Sequence, residues 1–412
     1  MSAGEPFSKA SVRDAPVGEG TRVLLRADLN CPLLPAEEGG GVADDSRIRA
    51  SLPTIELLRE RGAAVVCVSH LGRPGGRPDP ALSMRPVADR LEDLLGAPVG
   101  RADAVVGPEV RAAAEELAPG EVLLLENSRF EPGETGNDPE LAAELAGLAD
   151  IYVDDAFGAA HRAHATTEGV ARLLPAYAGL LLEREVQELE GVRDHAEPPL
   201  CVVLGGAKVS DKIGLIDRFL GRADSILIGG AMCFPFFAAR GESTGDSLVE
   251  EEGIALASGA LERAEASDCA LMLPLDLELA REFSADSERR YLDGTDVPDG
   301  WMGLDIGPST REAFAEPIAA AGTVLWNGPM GAFELEPFAE GTHAVALAVA
   351  TAPGRTVVGG GDSVAALDKF GFEGSVDWVS TGGGAALELL EGKDLPGVEA
   401  LLGSAEAGKP GA

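Results

Sequence analysis

Short apolar runs rich in β-branched residues recur along the chain, and each is followed by a stretch with helical periodicity. Continuous apolar runs predict strands buried on both faces, which is typical of parallel sheets covered by helices. The alternation predicts an α/β fold with two doubly wound parallel-sheet domains, since one domain usually has only about 150 residues. The runs span residues 22–30, 63–73, 121–130, 150–158, 199–208, 224–232, 269–277, 322–331, 355–363 and 376–385.

The segment PAYAGLLLEREVQELEGVRDHAEPP marks the join between the two halves. It begins with a proline break and continues as an amphipathic pattern that places Leu182, Val186 and Leu189 on one side. The pattern predicts a connecting helix over residues 179–195, between a first domain at 1–178 and a second domain at 196–389.

The chain is strongly acidic, with 33 Lys and Arg against 69 Asp and Glu and a formal net charge of -36. Because 45% of its residues are hydrophobic, disorder does not explain the acidity. The charge opposes binding to nucleic acid or to an anionic membrane. An acidic surface with only six lysines favours a salt-rich cytoplasm, in which carboxylates hold hydrated cations. The alternative is an acidic enzyme from a low-salt cell.

The five cysteines form no CxxC pair, and their odd number fits a reducing compartment. The first residues contain no apolar signal region, and no apolar run approaches the roughly 20 residues that span a bilayer. We therefore expect a cytoplasmic protein with no membrane partner.

Basic and amide side chains follow the predicted strands of the first half, where parallel sheets bind their ligands. Converging arginines suit phosphate or carboxylate, whereas a single arginine could equally pair with a neighbouring acid. Basic residues after four successive strands favour an anionic ligand. A metal site in the sequence HRAH is disfavoured, because no third ligand has suitable spacing. The candidate residues are Asp28, Asn30, Arg47, His70, Arg73, Asn127, Arg129, His161, Arg162 and His164.

Glycines follow the predicted strands of the second half, in the sequences GGAK, GGAM, NGPMG, GGGDS and STGGGA. Glycine lets backbone N–H groups approach a ligand closely, and a helix N-terminus that follows favours anions. This repetition predicts a nucleotide site, although neither GxxxxGK[ST] nor GxGxxG is present. Asp362 is placed to bind a magnesium ion on the phosphates, or to cap the helix that follows.

Two of the six lysines, Lys208 and Lys212, lie four residues apart after a glycine pair. We expect both to lie on one face of a helix and to meet phosphate charge. A basic half and a glycine-rich half then suggest two anionic substrates and phosphoryl transfer, which needs alignment, charge neutralisation and exclusion of water.

The chain resembles the phosphoglycerate kinase family in motifs that run in family order from residue 22 to about 402. The resemblance implies two α/β domains around a cleft, with residues 390–412 returning toward the N-terminal domain. It also implies reversible transfer of the acyl phosphate of 1,3-bisphosphoglycerate to Mg·ADP, giving 3-phosphoglycerate and ATP. The motifs are RADLNCP, DSRIRASLPTI, SHLGRP, LENSRF, DAFGAAHRAHATT, GGAKVSDKI, LWNGPMGAFE, GGGDSVAAL and STGGGAALELLEGKDLPGVEAL.

The resemblance also assigns roles, residue by residue. Arg47, Lys208, Gly383 and Gly384 fall where the transferring group is stabilised, and Gly382 precedes this pair. The phosphoglycerate positions are Asp28, Asn30, Arg47, His70, Leu71, Gly72, Arg73, Arg129 and Arg162. The nucleotide positions are Lys212, Glu334, Gly360, Gly361, Asp362 and Ser363, with Asp362 as the partner of Mg²⁺.

Some positions depart from the family pattern. Ser363 stands where threonine is usual, the segment 229–241 differs beside the adenosine pocket, and the loop 34–45 is slightly long. The acidity adds the expectation of a halophilic archaeal type, and we expect a monomer. Two alternatives stay open: another acyl-phosphate kinase acting on a carboxylate, and a nucleotide-binding regulatory protein that has lost catalysis.

Overall fold

The structure, a computed structural model, describes residues 7–35 and 40–404. They form two compact units. The N-terminal unit reaches to Gln187 and includes the residues from Asp394 onward, and the C-terminal unit runs from Glu188 to Lys393. Within the described residues, every helix is too short or too polar to cross a lipid bilayer.

The N-terminal unit contains a sheet of six parallel strands in the order β3-β4-β2-β1-β5-β6. Strands β1, β2, β4 and β5 were predicted, whereas β3 and β6 were missed, because β3 is largely exposed and β6, with the sequence AYA, has no β-branched residue. The strands are β1 (Arg22–Ala27), β2 (Ala64–Val68), β3 (Val99–Arg101), β4 (Val122–Leu124), β5 (Ile151–Asp155) and β6 (Ala176–Ala178).

Helices cover this sheet, and its central strands β1, β2 and β5 are buried along almost their whole length. The parallel register aligns the strand ends, with Arg26 opposite Val68 and Ala27 opposite Asp155. The residues that follow these strands therefore meet at one edge. The helices are α1 (Ser46–Glu60), α2 (Arg85–Leu95), α3 (Pro108–Glu116), α4 (Pro139–Ala146) and α13 (Pro396–Glu399), and α5 (Leu180–His195) contains the division between the units.

The C-terminal unit repeats this architecture with six parallel strands in the order β15-β14-β13-β7-β8-β9. The predicted α/β class with two parallel-sheet domains is therefore confirmed. The strands are β7 (Leu200–Leu204), β8 (Ser225–Ile228), β9 (Ala270–Met272), β13 (Thr323–Asn327), β14 (Arg355–Gly359) and β15 (Trp378–Val379). The helices are α6 (Ile213–Leu220), α7 (Phe234–Ala239), α8 (Glu251–Glu265), α9 (Pro308–Ala320), α10 (Glu340–Thr351), α11 (Gly361–Phe370) and α12 (Gly384–Leu390).

A second, antiparallel sheet in this unit was not predicted. It has three strands in the order β11-β10-β12: β10 (Leu277–Ala280), β11 (Arg289–Leu292) and β12 (Met302–Ile306). Strand β11 is charged and largely exposed, so it lacks the apolar run that signals a buried strand. The run 269–277, read as one strand, is divided between β9 and the start of β10 because Pro274 interrupts it.

The cysteines are free thiols buried in the two units, as Cys67 and Cys201 illustrate. Burial raises the pKa of Cys67 to about 12 and that of Cys201 to about 11. A thiol with so high a pKa is a core residue, because only the thiolate is a good nucleophile or metal ligand.

Asp305 provides a test of how burial in this fold affects stability. Its carboxylate is 3% exposed and accepts N–H groups from Ile306 at 2.9 Å and Gly341 at 2.7 Å. Burial raises its pKa to about 8. An unfolded Asp has a pKa near about 3.9. The folded state therefore binds more protons between these values, and this contribution to the free energy of unfolding falls as the pH rises toward 8.

We predict that Asp305→Asn reduces the loss of thermal stability between pH 5 and pH 8, because the substitution removes the titrating carboxyl. The measurement is the melting temperature at several pH values. Asp299→Asn, which removes an exposed carboxylate, is the control and should keep the wild-type slope. Parallel curves for wild type and Asp305→Asn would show that Asp305 does not titrate in this range.

Candidate functional site

Asn127 organises the strand ends of the N-terminal unit. Its carboxamide is fully buried and accepts the N–H groups of Leu71 and Arg129, both at 3.1 Å. It donates to the carbonyls of Leu71 at 2.7 Å and Leu82 at 2.9 Å. One side chain thus fixes the turns after β2 and β4, and its role here is structural.

Gly72 connects the turn after β2 to two other predicted residues. Its N–H donates to Asn30 Oδ1 at 2.9 Å, and its carbonyl accepts Arg129 NH1 at 2.7 Å. The backbone at Gly72 has φ +59°, and an added Cβ would lie 2.8 Å from the Leu82 side chain. Glycine is therefore required here, and Asn30, Gly72 and Arg129 are held in one arrangement.

Arg47 and Asp28 form an ion pair at the end of β1. The Asp28 side chain is 7% exposed and that of Arg47 is 35% exposed, so the guanidinium keeps part of its surface open. Asp28 Oδ1 also accepts the N–H of Asn30 at 3.3 Å. Among the predicted arginines, Arg47 is the one that pairs with a carboxylate of the described residues.

Arg26, which the sequence did not single out, is buried behind these residues. It donates to Thr166 Oγ1 at 3.0 Å and lies 2.9 Å from Nδ1 of His70. Because a guanidinium only donates, Nδ1 must accept, and the His70 proton is on Nε2. Burial holds the pKa of His70 well below its ordinary value, helped by the charges of Arg26 and Arg129. His70 is thus a neutral, oriented N–H donor.

A basic cavity of about 560 Å³ lies beside these turns and brings Arg73, Arg129 and Arg162 together. Burial lowers the pKa of Arg129 to about 10, and the charges of Arg26 and Arg162 act in the same direction. In the described chain none of these three arginines forms an ion pair, and Arg129 Nε is buried without a hydrogen-bond partner. The cavity is also lined by Gly75, Gly76, Glu131, Pro132, Thr135 and His164.

The remaining predicted residues of this unit lie outside the cavity lining; most follow a strand end, whereas Arg47 lies in the first turn of α1. His164, one of the candidates from the sequence, belongs to the lining. A metal site on HRAH, which the sequence disfavours, would need both histidines on one helix face. Residues 161–164 are instead a turn and an irregular stretch, followed by a π-helical turn at Ala165–Gly169, so His161 and His164 share no helix face.

In the C-terminal unit, the prediction that Lys208 and Lys212 share a helix face is wrong. Helix α6 begins at Ile213, so both lysines precede it. The turn at Gly206, with φ +109°, and the burial of Val209 keep the loop irregular. As a result Lys208 is exposed, whereas Lys212 is 8% exposed.

Lys212 is held by backbone oxygens at the ends of two neighbouring strands. Its Nζ donates to the carbonyls of Gly205 at 2.5 Å and Asn327 at 2.7 Å. Burial lowers its pKa to about 8, although the nearby charges of Asp362 and Asp211 oppose the shift. An ammonium has three donors, so one N–H is left for a further acceptor.

Two glycine turns place helix N-termini at the same edge of this sheet. Gly360, with φ +88°, precedes α11, and Gly383, with φ +52°, precedes α12. Backbone N–H groups at such ends favour anions. Asp362 lies in the first turn of α11, and the residue before that helix is Gly360, so the capping role considered for Asp362 is not observed.

Ser363 lies in the first turn of α11, after Gly360. It is fully buried, and its Oγ accepts the N–H of Gly328 at 2.5 Å. The hydroxyl therefore joins α11 to the strand end at Asn327.

A larger cavity of about 860 Å³ lies in this unit and has a mainly apolar wall. Glu334 is exposed at its edge, and Asp362 also borders it. The segment 229–241, whose sequence departs from the family pattern, contributes Gly230, Cys233 and Phe234. Other lining residues are Gly206, Ala207, Met302, Ile306, Met330 and Phe333.

Comparison with known proteins identifies what this arrangement is similar to. The sequence model of the family described as phosphoglycerate kinase matches residues 12–393. The phosphoglycerate kinase of Rubrobacter xylanophilus is 55% identical over 96% of this chain and 98% of its own length. The phosphoglycerate kinase of Chloroflexus aurantiacus is 52% identical over 96% of this chain and 99% of its own length.

Solved structures are also similar. Phosphoglycerate kinase from Coxiella burnetii is 40% identical, with a TM-score of 0.85, over 97% of this chain and 100% of that one. Phosphoglycerate kinase from Pyrococcus horikoshii OT3 is 32% identical, with a TM-score of 0.80, over 95% of this chain and 98% of that one.

The role of Asn127 predicts the effect of removing its carboxamide. Asn127→Ala should lower the free energy of unfolding by about 2–4 kcal/mol, since each buried polar group left unpaired costs about 1–3 kcal/mol. Chemical denaturation measures this loss. A change below about 0.5 kcal/mol, typical of surface substitutions, would show that the turns after β2 and β4 are held by other contacts.

Proposed function

The chain belongs to the phosphoglycerate kinase family, and from its side-chain arrangement we propose how it performs the reaction of that family. It is a phosphotransferase that reversibly moves the acyl phosphate of 1,3-bisphosphoglycerate to ADP, giving 3-phosphoglycerate and ATP, as in glycolysis and gluconeogenesis. The observation that carries our proposal is the cavity of arginines without carboxylate partners in the N-terminal unit.

We assign phosphoglycerate to the N-terminal unit, residues 1–178 in the sequence division. Arg73, Arg129 and Arg162 form no ion pair within the described residues, so a phosphate dianion would complete the cavity. Asp28, Asn30 and the neutral His70 are proposed to hold the other end of the substrate. Leu71 and Gly72 supply the turn that positions these groups.

We assign the nucleotide to the C-terminal unit, residues 196–389 in the sequence division. The apolar cavity suits adenosine, and Glu334 at its edge suits the ribose hydroxyls. Lys212 and the N–H groups at Gly360 and Gly361 are proposed to bind phosphate oxygens.

Asp362 is proposed to hold Mg²⁺ on the nucleotide. Its carboxylate is exposed and does not cap α11, so its oxygens are free to bind a hard cation. Mg²⁺ usually takes one or two carboxylates and completes its shell with water and phosphate, which this single residue fits. When bound, the ion neutralises phosphate charge during transfer.

Arg47 and Lys208 are proposed to stabilise the transferring phosphoryl group, together with the N–H groups of Gly383 and Gly384. Lys208 is exposed and, in the parts of the chain that are described, has no side-chain partner, so its charge is available. The acceptor oxygen is already an anion, so no general base is required. Positioning and charge neutralisation are sufficient for this chemistry.

A coupled assay with 3-phosphoglycerate and ATP tests the assigned reaction. Activity with 3-phosphoglycerate, and none with amino-acid carboxylates, would separate it from another carboxylate kinase. Nucleotide binding without turnover would instead favour a regulatory protein.

Arg47→Ala should lower kcat by about 10³-fold, because one arginine on a transferring phosphoryl group can be worth that much. Arg129→Ala, which alters the cavity, should act mainly by raising KM for 3-phosphoglycerate. Steady-state kinetics on both variants make the comparison. Near-normal kcat in Arg47→Ala would remove Arg47 from the transfer step.

Asp362→Asn should weaken binding of the Mg·nucleotide and leave 3-phosphoglycerate binding nearly unchanged, since the two ligands are assigned to different units. Calorimetry with each ligand alone measures both effects, and melting temperature controls for folding. Equal loss of both ligands in a folded variant would contradict the assignment of the ligands to separate units.

We propose further that the chain is a cytoplasmic monomer adapted to high salt. The net charge of -36 supports salt adaptation. The relatives compared here by sequence are bacterial, so the expected archaeal type receives no support from them, and the proposal concerns salt alone.

Folding and activity should require high salt. The Debye length is about 10 Å at 0.1 M and about 3 Å at 1 M, so low salt leaves the surface carboxylates unscreened. Activity and circular dichroism from about 0.1 to 3 M KCl measure the dependence. A sucrose series is the control, since sucrose stabilises folded proteins without screening charge. Full activity and an unchanged melting temperature at the lowest KCl concentration would refute salt adaptation.

A further inference from the structure

The loop that carries Lys208 is fixed at both ends. On one side, Gly206 donates its N–H to the Pro329 carbonyl at 3.0 Å and accepts the N–H of Met232 at 3.0 Å. On the other side, Lys212 is anchored by its two carbonyl contacts. Lys208 lies between these anchors with an exposed side chain, so its position depends on the residues that follow it.

Glu250 binds the loop two residues after Lys208. One carboxylate oxygen accepts the N–H of Ser210 at 3.0 Å, and the other accepts the Ser210 hydroxyl. Burial raises the pKa of Glu250, but the Ser210 hydroxyl, the N–H groups of Ser210 and Val209 and the charge of Lys208 together hold it below its ordinary value. The carboxylate is therefore ionised, and it lies close enough to Lys208 to interact with its charge.

Val209, the residue directly after Lys208, anchors the same loop by packing. Its side chain is fully buried, and an added Cβ at Gly253 would lie 2.5 Å from Val209 Cγ1. Gly253 belongs to α8, and Glu250 is the residue just before that helix. The start of α8 thus holds the residues after Lys208 by packing and by hydrogen bonds.

We propose that Glu250 is a positioning residue for phosphoryl transfer, which holds the loop that carries Lys208 so that its ammonium lies where the transferring group passes. This inference rests on the role proposed above for Lys208. Charge stabilisation works only when the donor is placed in advance, because a group that must reorganise loses its advantage. This role could not be read from the sequence, since Glu250 opens an ordinary acidic run, EEEG.

A double-mutant cycle tests the inference. Glu250→Ala should lower kcat by about 10- to 100-fold, since a displacement of about 1 Å can cost 100-fold. KM for nucleotide and for 3-phosphoglycerate should change by less than about twofold, because neither cavity is lined by Glu250. In the Lys208→Ala background, Glu250→Ala should have no further effect on kcat, because the group it positions is gone.

Matched variants separate positioning from folding. Glu251→Ala removes the next carboxylate along, which is exposed on the same helix turn, and should keep wild-type kcat. Glu250→Gln retains one acceptor oxygen and should recover part of the loss, and Ser210→Ala should lower kcat in the same direction. These two variants decide the matter if Glu250→Ala does not fold.

The outcomes are distinct. Unchanged kcat in Lys208→Ala would refute the proposed role of Lys208, and the inference would fail with it. A loss in Lys208→Ala without a loss in the Glu250 variants would overturn only the inference. An equal loss from Glu250→Ala in both backgrounds would show that Glu250 acts independently of Lys208, which also overturns it.

Discussion

Parallel strands buried on both faces leave one place where polar groups can gather, the edge at which all the strands end. Both units obey this constraint. In one, Ala27 lies opposite Asp155, and in the other Asn327 lies opposite both Leu204 and Gly359. Most of the functional groups assigned above follow such a strand end, so the fold itself brings together residues that are far apart in sequence.

Positive charges without an ion-pair partner give these edges their chemistry. In a chain with a net charge of -36, Arg129 donates to the Gly72 carbonyl, and Lys212 donates to the carbonyls of Gly205 and Asn327. Burial lowers the pKa of both groups, to about 10 and about 8. An anionic substrate supplies the missing negative charge. Its binding offsets the cost of holding these cations partly out of water, and the low dielectric constant of the site strengthens the attraction.

The sequence predicted the features that depend on periodicity and on strand ends. The parallel sheets followed from apolar runs such as LCVVL, and the arginines of the basic cavity followed from their positions after strands. Strand β11 escaped because its residues are charged and exposed, and the Lys208 loop was misread because tertiary contacts of Val209 and Lys212 override helical spacing. Arg26 and Glu250 were missed because their contacts link residues distant in sequence.

A crystal structure with 3-phosphoglycerate and Mg·ADP bound tests the central claim most directly, namely that cations without a carboxylate partner mark the two substrate sites. We predict the substrate phosphate within hydrogen-bond distance of Arg129 and Arg162, adenosine in the apolar cavity, and a phosphate oxygen at the remaining N–H of Lys212. A phosphoglycerate bound elsewhere, with the arginine cavity filled only by water, would contradict the claim.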